Sequence, residues 1–224
     1  MLELWIEGSI EQVKAAVDSG LATTVATNPS IIARWTANGQ TMDEVVKEVC
    51  RKVSVPVYVQ LHGPTVDDFL YEMDALRSIS EQIHPKLVAT RDGIAATKRL
   101  AQDGLRPLVT TISTVSQAFM SAAAGAAYIA PYVGRIEDAG EDASGLVANI
   151  ARLYALHGVE TQIAAASIRS PEQAEKSLLA GAHIVVMQYE IFEKLFESRL
   201  TQDWIDRFEE NWSQFVFEGR AVHP

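Results

Sequence analysis

The sequence predicts a single (β/α)8 barrel, the TIM-barrel architecture, followed by an additional C-terminal helix. Short β-branched runs alternate with amphipathic stretches of about 10–15 residues, which is the pattern of a parallel sheet. There are eight such pairs in 224 residues, about 28 residues each, which is enough to close the sheet on itself. No linker, low-complexity segment or change of composition interrupts the alternation, so one domain is expected.

The eight strands are expected, in chain order, at residues 2–6, 23–27, 57–61, 83–88, 108–112, 128–130, 161–165 and 184–187. A helical pattern follows each of them. Several of these patterns stop at a glycine, which suits the left-handed residue that terminates many helices: Gly20, Gly104, Gly125, Gly158 and Gly181.

The barrel is assigned to residues 1–200, and a surplus helix with its tail to residues 201–224. Four aromatic side chains recur on this helix at three- and four-residue spacing: Trp204, Phe208, Trp212 and Phe215. An aromatic stripe of this kind is expected to pack against another protein surface. Two arrangements remain open, packing on the chain's own barrel and packing on a neighbouring subunit.

The balance of 19 Lys and Arg against 29 Asp and Glu gives a net charge of −10 without a basic cluster. Nucleic acid and anionic membranes are therefore not expected as partners. No apolar run approaches the roughly 18–20 residues that span a bilayer. The single cysteine, Cys50, has no disulfide partner and is expected as a buried structural thiol. The N-terminal sequence does not resemble a signal peptide, and a cytoplasmic location is expected.

The predicted strand ends carry polar side chains, whereas the strand interiors are almost wholly apolar. In barrel enzymes, the chemistry lies at the C-terminal ends of the strands. We therefore expect a site formed by the polar residues at these ends: Glu7, Thr27 with Asn28, Gln60, Lys86, Thr110, Tyr132, and Ser167 with Arg169.

Lys86 is the most reactive type among them. Burial in the barrel mouth would disfavour its ammonium form and leave a fraction of free amine, which can attack a ketone and form a Schiff base. On spacing alone, an ion pair between Lys86 and an acid such as Glu7 is an equally good interpretation.

Four segments carry a family resemblance: VATNPSII at 25–32, KLVATRDGIAATKRL at 86–100, IAPYVGRIEDAG at 129–140, and IAAASIRSPEQAEKSLLAGAHI at 163–184. The chain resembles the small transaldolase family of class I aldolases, and most closely its fructose-6-phosphate aldolases. The resemblance implies a (β/α)8 barrel, a Schiff-base lysine at Lys86, no metal and no cofactor. It also implies a homo-oligomer, a pentamer or decamer, often locked by the C-terminal helix.

Two subfamilies differ at positions that this sequence shows. Transaldolases of this kind usually carry Glu on the third strand and Phe after the proline of the sixth, where the aldolases carry Gln and Tyr. The residues here are Gln60 and Tyr132, which favours an aldolase. A water held by Gln60, Thr110 and Tyr132 would then move protons during catalysis.

The substrate is expected to be a sugar phosphate. Arg135, Ser167 and Arg169 would bind its phosphate near a helix that starts at Ser170. An alternative pairs the two arginines with surface acids. Asn28 would hydrogen-bond a substrate hydroxyl, and Thr27 lies beside it.

Several residues depart from the family pattern near the chemistry. Glu7 replaces the usual Asp, Ala26 a Thr, and Val88 a Pro, while Pro85 directly before Lys86 is also unusual. Three functions therefore stay open: aldol cleavage of fructose 6-phosphate or a similar ketose phosphate, transfer of a dihydroxyacetone unit between sugar phosphates, and sugar-phosphate binding without turnover. The histidines show no metal-ligand spacing, and a structural role is favoured for His84.

Overall fold

The computed structural model describes residues 2–213. Eight parallel strands form a closed barrel in sequence order, and β1 pairs with both β2 and β8. The strands are β1 Glu3–Glu7, β2 Thr24–Ala26, β3 Val57–Gln60, β4 Ile83–Val88, β5 Leu108–Ile112, β6 Tyr128–Pro131, β7 Gln162–Ile168 and β8 Ile184–Gln188. The predicted fold class, a (β/α)8 barrel, is confirmed.

Helices surround the barrel and connect its strands. They are α1 Ile10–Asp18, α2 Pro29–Trp35, α3 Met42–Lys52, α4 Val66–Ile79, α5 Arg91–Gln102, α6 Val115–Ala123, α7 Val133–Asp138, α8 Ala143–His157, α9 Pro171–Leu179, α10 Tyr189–Lys194 and α11 Arg199–Trp212. The five glycines expected at helix ends all have positive φ. The short helices α2 and α7 follow β2 and β6 directly, so each starts at the carboxyl end of a strand.

Aromatic side chains fill the N-terminal half of the barrel interior. Trp5 is 1% exposed; its ring stacks on Tyr58 with centroids 4.8 Å apart, and Tyr128 packs edge-on at the same distance. His84 continues the stack on the other side of Tyr58, at 5.3 Å. Arg106 Nη2 donates to the Tyr128 hydroxyl at 2.6 Å. This packing fills the barrel interior below Lys86 with buried side chains.

Two strands are interrupted by bulges close to their carboxyl ends. The register shifts between Val109 and Ile112 in β5, and between Ala165 and Ile168 in β7. Each bulge contains a residue in the left-handed region, Thr111 with φ 61° and Ser167 with φ 60°. The expectation that the seventh strand ends at residue 165 is wrong, because the bulge lets β7 resume pairing as far as Ile168.

The surplus C-terminal helix is present as α11. Within the described part of the chain none of its side chains is buried, and Trp204 and Phe208 are 53% and 59% exposed. Its apolar face therefore does not pack on its own barrel here, and packing on a neighbouring subunit stays a prediction. Phe215 lies outside the described residues. Among residues 2–213, no helix combines the length and apolarity needed to cross a membrane.

Candidate active site at the carboxyl ends of the strands

A cavity of about 490 Å³ opens at the carboxyl ends of the strands. Its walls contain seven of the ten side chains expected at the site: Glu7, Asn28, Gln60, Tyr132, Arg135, Ser167 and Arg169. They come from β1, β2, β3, β6 and β7 or the segments that follow them. The structure therefore brings together residues that are as far apart in the sequence as Glu7 and Arg169.

The other three expected residues do not line this cavity. Lys86, Thr27 and Thr110 are 3%, 0% and 0% exposed. Lys86 faces the barrel interior, one inward position above His84 on β4, and Gln60 of β3 is its register partner. The reactive amine is therefore buried next to a residue that lines the cavity.

Lys86 Nζ donates a hydrogen bond to the Thr27 carbonyl oxygen at 2.7 Å. Among the described residues, no ion pair involves Lys86. The alternative interpretation, a lysine neutralised by Glu7, is thus not the arrangement in the structure. The Thr27 hydroxyl donates to the Tyr58 carbonyl oxygen at 3.0 Å, so the group that Thr27 offers the lysine is its backbone oxygen.

Three buried polar side-chain atoms have no hydrogen-bond partner among the described residues. His84 Nδ1 lies below Lys86 in the aromatic stack, whereas Gln60 Oε1 and Thr110 Oγ1 belong to the strands on either side of β4. Thr110 pairs in register with Val88, two positions after Lys86, and so lies at the same end of the barrel. Buried polar atoms are almost always satisfied in folded proteins. Gln60 Oε1 and Thr110 Oγ1 can therefore bind a water molecule or a substrate hydroxyl.

Glu7 supplies the cavity's carboxylate. Its Oε1 accepts from Asn28 Nδ2 at 3.3 Å, and its Oε2 accepts from Gln188 Nε2 at 3.4 Å. Among the described residues that line the cavity, Glu7 is the only acid. Two amides from the neighbouring strand ends thus hold this carboxylate at the cavity wall.

Two cationic side chains line the cavity at the ends of β6 and β7. The Arg135 guanidinium lies over the Tyr132 ring, 5.3 Å from its centroid. Arg169 Nη1 lies 2.8 Å from the Asp138 carboxylate, and both side chains are about half exposed. The surface pairing foreseen as an alternative is therefore found at Arg169, but exposed pairs contribute little free energy. Arg169 still lines the cavity.

Gly134 lets α7 pack closely on the end of β7. A Cβ atom there would lie 2.5 Å from the Ser167 carbonyl oxygen and 2.8 Å from Arg169 Nε. Ser170 caps α9 by accepting from the Gln173 backbone N–H at 3.3 Å. The close packing of α7 on β7 brings Arg135, Ser167 and Arg169 to one wall, where they can bind an anion.

Three polar residues line the cavity that were not expected from the sequence: Ser30, Thr111 and Gln188. Gln188 ends β8 after the buried run Ile184–Met187, so the rule applied to the other strand ends could have found it. Thr111 could not be found in this way because only the bulge in β5 turns it towards the cavity. Arg34, on α2, also contributes by donating to Gln188 Oε1 at 3.3 Å.

His84 lies below Lys86 in the aromatic stack and does not line the cavity. Burial lowers the pKa of its imidazole, and the positive charges of Arg77 and Arg106 lower it further. His84 is therefore neutral at pH 7. Within residues 2–213, no group of three or more His, Cys, Asp or Glu side chains is placed to hold a metal ion.

A larger cavity of about 720 Å³ lies between α6 and α8, at the other end of the barrel. Its walls are largely apolar, with Phe119, Leu153 and Tyr154 prominent, and none of the expected site residues belongs to them. The convergence of reactive side chains, and not cavity size, therefore identifies the mouth as the candidate active site.

A barrel with a buried lysine beneath a polar cavity places a potential nucleophile at the end where barrel enzymes carry out their chemistry. Comparison with known proteins identifies the class of enzyme. The family model described as "Transaldolase/Fructose-6-phosphate aldolase" matches residues 7–220. The chain belongs to this family of aldolases and transaldolases, whose enzymes act on sugar phosphates.

Curated relatives match over nearly their whole length. A probable transaldolase of Streptococcus equi subsp. zooepidemicus is 35% identical over 207 residues, which cover 92% of this chain and 95% of that protein. One from Pelotomaculum thermopropionicum is 35% identical over 214 residues, with 95% and 98% covered. One from Coprothermobacter proteolyticus is 36% identical over 205 residues, with 92% and 93% covered.

Proposed function

We propose that the protein is a class I aldolase that reversibly cleaves fructose 6-phosphate, or a similar ketose phosphate, to glyceraldehyde 3-phosphate and dihydroxyacetone. The observation that carries this proposal is the buried Lys86, whose Nζ contacts the neutral Thr27 carbonyl oxygen at 2.7 Å. Burial and this hydrogen bond fix the amine just below the cavity, where it can attack the carbonyl carbon of a bound ketose and form a Schiff base.

The reaction begins with attack of Lys86 Nζ on the C2 carbonyl of the ketose. Loss of water from the carbinolamine gives an iminium ion, which accepts the electron pair of the C3–C4 bond when that bond breaks. The C4 hydroxyl must lose its proton in this step, and glyceraldehyde 3-phosphate leaves. Protonation of the resulting enamine at C3 and hydrolysis of the imine release dihydroxyacetone and restore the lysine.

Glu7 is the group that accepts the C4 hydroxyl proton in this proposal, because it is the carboxylate among the described cavity residues. Asn28 would bind a substrate hydroxyl beside it. Gln60, Thr110 and Tyr132 would hold the water that exchanges protons with the carbinolamine and the enamine. The partnerless Gln60 Oε1 and Thr110 Oγ1 support this assignment. Arg135, Ser167 and Arg169 would bind the phosphate through charge-assisted hydrogen bonds.

The second candidate is a transaldolase, in which the enamine attacks an aldehyde acceptor instead of being protonated. The relatives favour it, since those described above are called probable transaldolases. Gln60 and Tyr132 favour the aldolase. A single experiment separates the two: incubation with fructose 6-phosphate alone, and again with erythrose 4-phosphate, while free dihydroxyacetone is measured. An aldolase accumulates dihydroxyacetone without acceptor, whereas a transaldolase turns over only when acceptor is present.

We further propose that the enzyme is a cytoplasmic homo-oligomer, a pentamer or decamer as the resemblance implies. The exposed apolar face of α11 supports an assembly in which this helix packs on another subunit. Sedimentation velocity of the full chain tests the proposal. A monomer at micromolar concentration would contradict it.

A further inference from the structure

Gln188 connects Glu7 to Arg34 at the mouth of the barrel. It is the last residue of β8 and the register partner of Glu7 on β1. Its side chain lines the cavity, with Nε2 3.4 Å from Glu7 Oε2 and Oε1 3.3 Å from Arg34 Nη2. Both hydrogen bonds are long, but bonds at catalytic sites often shorten only when the substrate binds.

The chemistry of its two neighbours fixes the orientation of the Gln188 amide. A guanidinium has only donors, so Arg34 must face the amide oxygen. An ionised carboxylate has only acceptors, so Glu7 must face the amide nitrogen. A flipped amide would place donor against donor and acceptor against acceptor. Arg34 therefore keeps the Gln188 N–H group directed at Glu7.

Glu7 needs such support because its side chain is long. A glutamate has one more rotatable bond than an aspartate, and its carboxylate lies about 1.5 Å further from the backbone. Fixing this freedom costs side-chain entropy. Asn28 restrains Oε1 and Gln188 restrains Oε2, from the strand ends on either side of β1. Each oxygen thus has one amide donor.

We infer that Gln188 is a positioning residue that holds the Glu7 carboxylate where it can accept the substrate hydroxyl proton. This inference rests on the proposed function. Through Gln188, the eighth strand takes part in the reaction. The Gln188 amide can position the carboxylate at position 7 only if that side chain has the length of a glutamate. An aspartate at position 7 would fall short of Gln188, and the amide would then contribute nothing.

The test is a double-mutant cycle with Gln188→Leu and Glu7→Asp, in which kcat and KM for fructose 6-phosphate cleavage are measured. We expect Gln188→Leu to lower kcat about tenfold or more, because misplacement by about 1 Å can cost about a hundredfold. KM should change less than kcat. In the Glu7→Asp background, the second substitution should cause no further loss, so the two effects are strongly non-additive.

The matched control is Gln162→Leu, which removes a half-buried glutamine from the first position of β7, at the opposite end of the barrel. It should leave kcat within about twofold of the unmodified enzyme. Arg34→Met should lower kcat in the same direction as Gln188→Leu but less, since one of the two contacts that orient the amide is then lost while the contact with Glu7 stays.

Borohydride trapping of the imine at Lys86 separates the possible failures. A normal imine in Gln188→Leu with kcat unchanged, or with losses that add fully in the double variant, overturns this inference alone. A normal imine with lowered kcat and non-additive losses supports it, because the defect then lies after imine formation. No imine in the unmodified protein contradicts both this inference and the proposed function.

Discussion

Lys86 Nζ lies 2.7 Å from the carbonyl oxygen of Thr27, the residue that directly follows β2. This contact directs the amine towards the strand end that carries Asn28 and, through Asn28, Glu7. A carbonyl accepts a hydrogen bond without neutralising a positive charge. The barrel therefore orients the Lys86 amine without an ion pair to any described residue.

We expect the strained backbone at Thr111 to lower the stability of the protein and to support its catalytic activity. A β-branched residue at φ 61° is strained by about 1–3 kcal/mol. Its hydroxyl accepts from the Ala89 N–H at 3.2 Å and donates to the Thr110 carbonyl oxygen at 2.6 Å, which links the ends of β4 and β5. We expect Thr111→Gly to raise the midpoint of urea unfolding and to lower kcat, because Thr110 is then held less firmly.

Thr111→Ala is the matched control, since it keeps a side chain in the strained conformation but removes the hydroxyl. It should unfold at lower urea than the unmodified protein. A Thr111→Gly variant that is both less stable and fully active would show that the strain at Thr111 serves no purpose.

Arg135 and Arg169 are expected to recognise the phosphate group. Removal of a hydrogen bond to a charged group costs about 1.5–3 kcal/mol. Arg135→Met and Arg169→Met should therefore each raise KM for fructose 6-phosphate about tenfold or more, without raising KM for fructose, which has no phosphate. Arg169 already pairs with Asp138, so Arg169→Met should raise KM less than Arg135→Met does.

Arg91→Met provides the control for charge alone. Arg91 begins α5 on the same face of the barrel, but it does not line the cavity. If its loss raises KM as much as the loss of Arg135, the effect is a general electrostatic one and no phosphate site needs to be invoked.

His84 is expected to make stability depend on pH. In the unfolded chain, the imidazole titrates near its ordinary value of about 6.5, whereas burial lowers its pKa in the fold. The unfolded state therefore binds more protons as the pH falls through this range. The free energy of unfolding should decrease below about pH 6.5 and level off below the folded pKa.

His84→Phe keeps an aromatic ring against Tyr58 and removes the titrating group. Urea unfolding at pH 7.5 and 5.5 should show a smaller loss of stability at the lower pH for this variant than for the unmodified protein. A residual loss remains, because burial also lowers the pKa of His183. Equal losses in both proteins would contradict the account of His84.

Much of the fold follows from local patterns in the sequence. The eight β-branched runs and the glycines at helix ends suffice for the barrel, since each is a short-range signal. The bulges at Thr111 and Ser167 do not follow from them, because left-handed backbone at a Thr or Ser is imposed by the packing of neighbouring strands and helices. The expectation that polar side chains at the carboxyl ends of the strands form the site also predicted most of the candidate site, from Glu7 to Arg169.

The contacts between side chains could not be predicted from the sequence. Whether Lys86 meets Glu7 or a carbonyl depends on side-chain direction inside the barrel, which spacing along the chain does not determine. The pairing of Arg169 with Asp138 and the bridge from Glu7 through Gln188 to Arg34 are likewise tertiary contacts. The departure at Glu7 was visible in the sequence, but the amide that accommodates its length was not.

The central claim is a covalent imine at Lys86, and reductive trapping tests it most directly. The full-length protein is incubated with fructose 6-phosphate and sodium borohydride, with Lys86→Met as control, and its peptides are analysed by mass spectrometry. We expect a dihydroxyacetone-sized addition on the peptide that carries Lys86, and no addition in the control. An unmodified Lys86 peptide, or an adduct that persists in Lys86→Met, would contradict the claim.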